Sequence, residues 1–233
     1  MAKVDKSQYT KAQWRAIREE RRQRKITYTD NQSVDIPQAK PAFVLGNGVS
    51  RQAVEVDDLK KTGTVYGCNA LYRTHSPDYL IAVDPKMINE ICKNQYQLEH
   101  TVWTNRHRSF SRFQGLNYFH PAKGWSSGPT ALWLASEHGY ETVYILGFDY
   151  KGLDNGKKLN NVYANTQNYK RSSDNATFYG NWLRQTKTVI RDHSQTTFVR
   201  VIDTDSYSPE ELNNFNNFKT VYMENFKKIL QNI

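Results

Sequence analysis

Long apolar runs are missing from this chain. Its mean hydropathy is −0.79, and the clearest unbroken stretch, residues 143–148, is far short of the ~20 residues a membrane-spanning helix needs. Cysteine is scarce as well. Cys68 and Cys92 are the only two, which makes neither a disulfide framework nor a zinc-binding set. The N-terminal stretch has charge but no apolar segment of the signal-peptide kind. There is no internal repeat. These absences argue against a secreted disulfide scaffold and a membrane span, and the expected location is cytoplasmic.

What is present favours a folded, two-part chain. Hydrophobic residues make up 38% and aromatics 13% of 233 residues, too many core formers for a disordered polymer. The net charge of +9 is uneven. Residues 1–25 hold nine basic side chains against three acidic ones, so most of the excess sits there. Thr10 and Gln13 have capping-box spacing for a helix that runs to Lys25. Trp14 and Ile17 give that helix only a thin apolar stripe. Residues 26–41 are polar, contain Pro37 and Pro41, and read as a linker. The expected organisation is a basic helical extension over 1–40 and a catalytic-sized domain over 41–233.

From residue 41 onward strand and helix patterns alternate. Strands are expected at 42–45, 64–66, 78–84, 101–104, 116–119, 142–146 and 197–202, several of them bounded by glycine, asparagine or proline. Helices are expected at 85–97 with Pro85 in the first turn, at 128–138 with Gly139 as cap, at 182–193, and at 209–230 as a closing helix. Such alternation predicts an α/β fold with a doubly wound, mostly parallel sheet. Ligands of such sheets bind outside the carboxyl ends of the strands.

Those ends carry suitable groups. The first strand runs into Gly46-Asn47-Gly48-Val49-Ser50, where the glycines allow close backbone approach and Asn47 offers donors and an acceptor. It lacks the third glycine of the dinucleotide fingerprint. The second strand ends at Asn69. Two neighbouring amides suit ribose hydroxyls or a pyrimidine edge. Ser126-Ser127-Gly128 opens a helix and so makes an anion site. Gly147-Phe148-Asp149-Tyr150 closes the sixth strand. Each signal also has a plain structural reading as a turn or a cap; their convergence on one sheet edge is the argument.

Taken in order, Gly46-Asn47-Gly48-x-Ser50, Tyr66-Gly-Cys-Asn69, Ser126-Ser-Gly128 with a helix ending at Gly139-Tyr140, and Val143-Tyr-Ile-Leu-Gly147-Phe-Asp149 resemble the bacterial sialyltransferase-type glycosyltransferases. The resemblance spans roughly residues 42–170. It implies a Rossmann-like core and a sugar donor activated by CMP, with no further cofactor and no metal, and the chain is read as having no Asp-x-Asp metal signature. By the same resemblance Asn47 and Asn69 serve the ribose and phosphates, and Ser126, Ser127 and Gly128 line the nucleotide. Phe148 and Asp149 stand near its base, and Tyr150 and Tyr163 are the tyrosines of the departing phosphate. Related members that handle pterin phosphates share the first and last motifs. One departure matters: the family's His-Tyr-x-Gly-His is here Thr177-Phe178-Tyr179-Gly180-Asn181, and asparagine cannot act as a base. Asp84 is then the first candidate base and His120 the second.

The acceptor is read from charge. Arg18, Arg21 and Arg22 in the basic leader, Arg106, Arg108 and Arg112 among aromatics, and Lys170 with Arg171 suit a nucleic-acid backbone and an unstacked base. The leading expectation is therefore sugar transfer onto a hydroxymethylated base in DNA, a chemistry carried by large DNA viruses and phage, with the base flipped out of a duplex. A glycan or lipopolysaccharide acceptor, a pterin or nucleotide pyrophosphokinase, and a non-catalytic nucleic-acid-binding protein stay open beside it.

Overall fold

A computed structural model of the chain describes residues 40–233. The expected leader helix, with Arg18, Arg21 and Arg22, lies outside the described residues, as does nearly all of the expected linker. The strands are β1 Ala42–Leu45, β2 Thr64–Cys68, β3 Tyr79–Ile81, β4 Val102–Thr104, β5 Leu116–Tyr118, β6 Thr142–Leu146, β7 Thr197–Ile202 and β8 Phe218–Tyr222. Five α-helices are described: α1 Val56–Thr62, α2 Pro85–Lys93, α3 Ser127–Glu137, α4 Gly180–Asp192 and α5 Met223–Leu230.

All eight strands form one parallel sheet in the order β5-β4-β3-β2-β1-β6-β7-β8. The fold is a doubly wound, Rossmann-like α/β arrangement. Strand side chains alternate between its two faces. Ala42 and Val44 of β1 join α3 and α4 on one face. Phe43 and Leu45 join α1, α2 and α5 on the other. Burial on both faces explains why the central strands read as unbroken apolar runs.

The closing helix expected at 209–230 is the one element that differs in kind. Only Met223–Leu230 is helical; before it come a short 3₁₀ turn, Glu210–Leu212, and the edge strand β8. The reason lies in residues 213–222. Asn213, Asn214, Asn216 and Asn217 are poor in helix interiors because their amides compete for backbone groups. Asn217 Nδ2 does this, donating to the carbonyls of Ile190, His193 and Thr196 at 3.0–3.1 Å. The Phe-Lys-Thr-Val-Tyr run that follows then pairs with β7 in register Val199↔Lys219. Helix α1, with Val56 and Leu59 buried, is not among the expected helices; the other differences are at boundaries: β3 is shorter than 78–84, and α2 stops at Lys93 before a separate 3₁₀ turn, Tyr96–Leu98.

Strand order reverses at β1. The chain moves outward through β2 to β5, then returns to lay β6 on the other side of β1. Leu45 and Leu146 are register partners, so the chain leaves the sheet side by side at Gly46 and Gly147. Gly46 N–H donates to Leu146 O at 2.8 Å and Gly48 N–H to Gly147 O at 2.9 Å.

Candidate functional site

A cleft opens where β1 and β6 diverge, the place at which doubly wound sheets bind ligands. Its walls bring together Gly46, Asn47, Gly48, Asn69, Ser126, Ser127, Gly128, Phe148, Asp149 and Tyr150. These are ten of the eleven residues that the sequence assigned to the donor nucleotide. The eleventh, Tyr163, is buried away from the cleft walls, where its hydroxyl accepts from Arg51 Nη2 at 2.9 Å and lies 3.2 Å from Thr74 Oγ1.

The glycines are there because backbone approaches backbone. A Cβ on Gly46 would stand 2.5 Å from Gly147 O, and one on Gly48 would stand 2.4 Å from Asp149 Cγ. Gly147 has φ +67°, which favours glycine outright. Asp149 fastens the two loops together: its carboxylate accepts from the Ser50 hydroxyl and, at 3.1 Å, from Ser50 N–H. Beneath the β6 loop, buried Arg200 donates to Phe148 O at 3.1 Å and Tyr207 O at 2.9 Å.

Helix α3 begins in the cleft. The N–H groups of its first residues have no intrahelical acceptor; Pro129 has no N–H at all. Ser126 N–H is held by Gln185 Oε1 at 3.0 Å, which fixes the helix start. Ser127 is less free than its sequence suggests. Its hydroxyl accepts from Val83 N–H at 3.1 Å and donates to Asn69 Oδ1 at 2.8 Å. Ser127 and Gly128 therefore offer backbone donors, and Asn69 is left offering Nδ2.

Asn47 is set the other way. Its Nδ2 donates to Cys68 O at 3.4 Å and to the Tyr169 hydroxyl at 3.3 Å. Its Oδ1 is buried and has no partner among the described residues. Because a backbone carbonyl can only accept, the amide cannot be turned over without setting oxygen against oxygen. Among the described residues, one asparagine thus keeps an unpartnered acceptor and the other an unpartnered donor.

The segment carrying Tyr169 is pinned from outside the cleft. Arg73 makes a two-pronged pair with Glu90 of α2, both contacts at 2.7 Å. Its remaining donors reach Thr166 Oγ1 at 2.7 Å and Gln167 O at 2.8 Å. The Glu90 carboxylate also accepts from Tyr72 and Asn168, each at 2.6 Å. Burial alone would raise the Glu90 pKa, but these donors outweigh it and hold the group below its ordinary range. Burial pushes the Tyr169 hydroxyl up, so it stays neutral. Burial likewise carries the Cys68 thiol up to about 12, which leaves it unreactive at neutral pH.

The proposed bases do not join the cleft. Asp84 is exposed and caps α2, accepting from Lys86 N–H at 2.7 Å; this is its structural role. His120 is exposed in the loop after β5. Asn181 is exposed on the first turn of α4. Asp149 and Lys151 are the charged side chains on the cleft walls among the described residues. The arginines stand elsewhere. Arg106 lies over the Tyr118 ring at 5.3 Å and Arg112 over Phe113 at 4.7 Å, with Arg108 exposed between them. They follow β4, three strands or ~15 Å across the sheet from β1. Lys170 and Arg171 are exposed, Lys170 Nζ donating to Thr177 Oγ1 at 3.3 Å.

Sequence reasoning missed several contributors. Ser50 was quoted only as part of a motif, and Arg73, Glu90 and Tyr169 act across long sequence separations that no local pattern signals. Asp203-Thr204-Asp205 is an Asp-x-Asp that the reading passed over. It follows β7 and lines a second hollow that shares Asp149 and Lys151 with the cleft. No group of three or more His, Cys, Asp or Glu that could hold a metal ion occurs among the described residues, and no helix among them is long and apolar enough to cross a membrane. Set against protein-family models, curated proteins and solved structures, the chain matches none of them.

Proposed function

We propose that the cleft between β1 and β6 binds a nucleotide, and that the chain transfers a sugar from a CMP-type donor to a hydroxyl. One observation carries this reading. The free N–H groups at the start of α3 and the Asn69 amide converge on one cleft with the acceptor of Asn47, at the strand-order reversal. Phosphate is matched by the helix start and the Asn69 donor, where developing charge on a leaving nucleotide is stabilised without a metal. Asp84 and His120 drop out as general bases of this reading, since neither stands on the cleft wall.

The acceptor in this reading is a hydroxylated base in DNA. The arginines after β4 and the leader would then hold phosphates while the flipped base reaches the cleft. Thermal shift with CMP, UMP, GMP, ATP and a pterin, with and without Mg²⁺, tests the donor. Metal-independent stabilisation by CMP is expected, and indifference to every nucleotide would sink the reading. Labelled-sugar transfer to hydroxymethylated against unmodified DNA tests the acceptor.

A second reading, a pterin or nucleotide pyrophosphokinase, draws on the hollow that Asp203 and Asp205 line together with Asp149, although these carboxylates form no group among the described residues that could hold a metal ion. It requires stabilisation by ATP that depends on Mg²⁺, which the same panel reads out.

A further inference from the structure

We infer that Tyr169 is a positioning residue for the cleft. Braced by the Arg73–Glu90 pair, it holds the Asn47 amide so that Oδ1 receives a ribose hydroxyl and not a phosphate. This deepens the nucleotide reading and rests on it.

The observations form a chain of contacts. Glu90 on α2 holds Arg73 through two charge-assisted bonds. Arg73 holds the Thr166 hydroxyl and the Gln167 carbonyl, and its guanidinium lies 5.7 Å from the Tyr169 ring centre. Asn168 closes the loop onto Glu90 from the other side. Tyr169 then accepts from Asn47 Nδ2 and, at 3.4 Å, from Ala70 N–H. With Cys68 O as the second acceptor, both protons of the Asn47 amide are committed. The oxygen that remains is buried and unpartnered among the described residues.

A buried acceptor without a donor is costly unless a ligand supplies one. An ionised phosphate has only acceptors to offer, so it is repelled at this point. Asn69, set in the opposite sense by Ser127, suits phosphate. The ribose hydroxyls are donors that a nucleotide can bring to this oxygen.

The test is a double-mutant cycle on the full chain, read as CMP affinity by calorimetry. Tyr169→Phe keeps the ring and removes the acceptor; Glu90→Gln keeps the shape and weakens the brace. Loss of one neutral hydrogen bond predicts about fivefold weaker binding for Tyr169→Phe. In an Asn47→Ala background neither change should weaken CMP further, because the group being positioned is gone. Equal losses in both backgrounds would make the roles of Tyr169 and Glu90 merely structural and overturn the inference. Thermal melting of each variant reports folding separately. CMP should also bind several-fold tighter than its 2′,3′-dideoxy analogue to the unsubstituted chain, and equally with it to Asn47→Ala. Equal affinity of the two ligands for the unsubstituted chain would overturn the hydroxyl assignment while leaving the nucleotide reading intact. If no nucleotide binds the unsubstituted chain, the reading and the inference fall together.

Discussion

The cleft at β1 and β6 and the basic stretch after β4 are built on opposite principles. In the cleft, several polar side chains are already fixed by protein partners. Asp149 is tied to Ser50, Ser127 to Asn69 and Val83, and Gln185 to Ser126. What remains free is small in number and fixed in direction. After β4 the long cations lie over aromatic rings, with Arg106 on Tyr118 and Arg112 on Phe113. Their charge stays exposed and their geometry adaptable. The first arrangement selects a ligand by the pattern of its hydrogen bonds, while the second attracts charge with little regard to shape.

That contrast can be broken experimentally from either side. The largest effect is expected at the brace of the cleft. Glu90→Ala strips the half-buried Arg73, Tyr72 and Asn168 of their shared carboxylate acceptor, and about 3 kcal/mol of stability should be lost, measured by urea unfolding. Next comes Gly48→Ala. The added methyl collides with Asp149 and Gly147, so a cost of about 1–3 kcal/mol is expected, together with loss of any nucleotide-induced thermal shift. Acid should produce a smaller, graded effect. The Glu90 pKa is lowered in the fold, so its contribution is complete above its unfolded value of about 4.3 and fades as pH falls through the folded value. The stability gap between the unsubstituted chain and Glu90→Gln should therefore narrow between neutral pH and pH 3; a constant gap would contradict the pair. The smallest effect on folding belongs to the other region. Replacing Arg106, Arg108 and Arg112 together by alanine should change stability by less than about 0.5 kcal/mol and leave nucleotide binding intact. If DNA is the acceptor, the same change lowers the salt dependence of DNA affinity by up to about three counterions. An unchanged salt slope would remove these residues from the acceptor surface.

Much of this was legible without coordinates, for definite reasons. β1, β2 and β6 are apolar runs closed by Gly46, Asn69 and Gly147, and a parallel sheet gathers such ends on one edge. The cleft follows from that alone. The polarity of its amides does not, because Cys68 O, Ser127 and Tyr169 reach Asn47 and Asn69 through the fold. Asp84 shows the converse. Its place at a strand end suggested a catalytic role, yet the residue after it is Pro85, and its carboxylate serves the backbone of α2. The strand β8 was hidden because the Asn-rich stretch before it was absorbed into a helical window that does hold for α5.

The position of β1 has a consequence for how the protein comes into being. Its partner β2 follows it closely in the chain, but β6 is made only after three further strands and two further helices. During synthesis the Gly46 side of the cleft therefore waits, with one flank of β1 unpaired, until the Gly147 side emerges. A molecule that fits the finished cleft touches both sides at once and cannot favour the half-made sheet. Such a molecule would therefore favour the completed sheet over the half-made one by mass action.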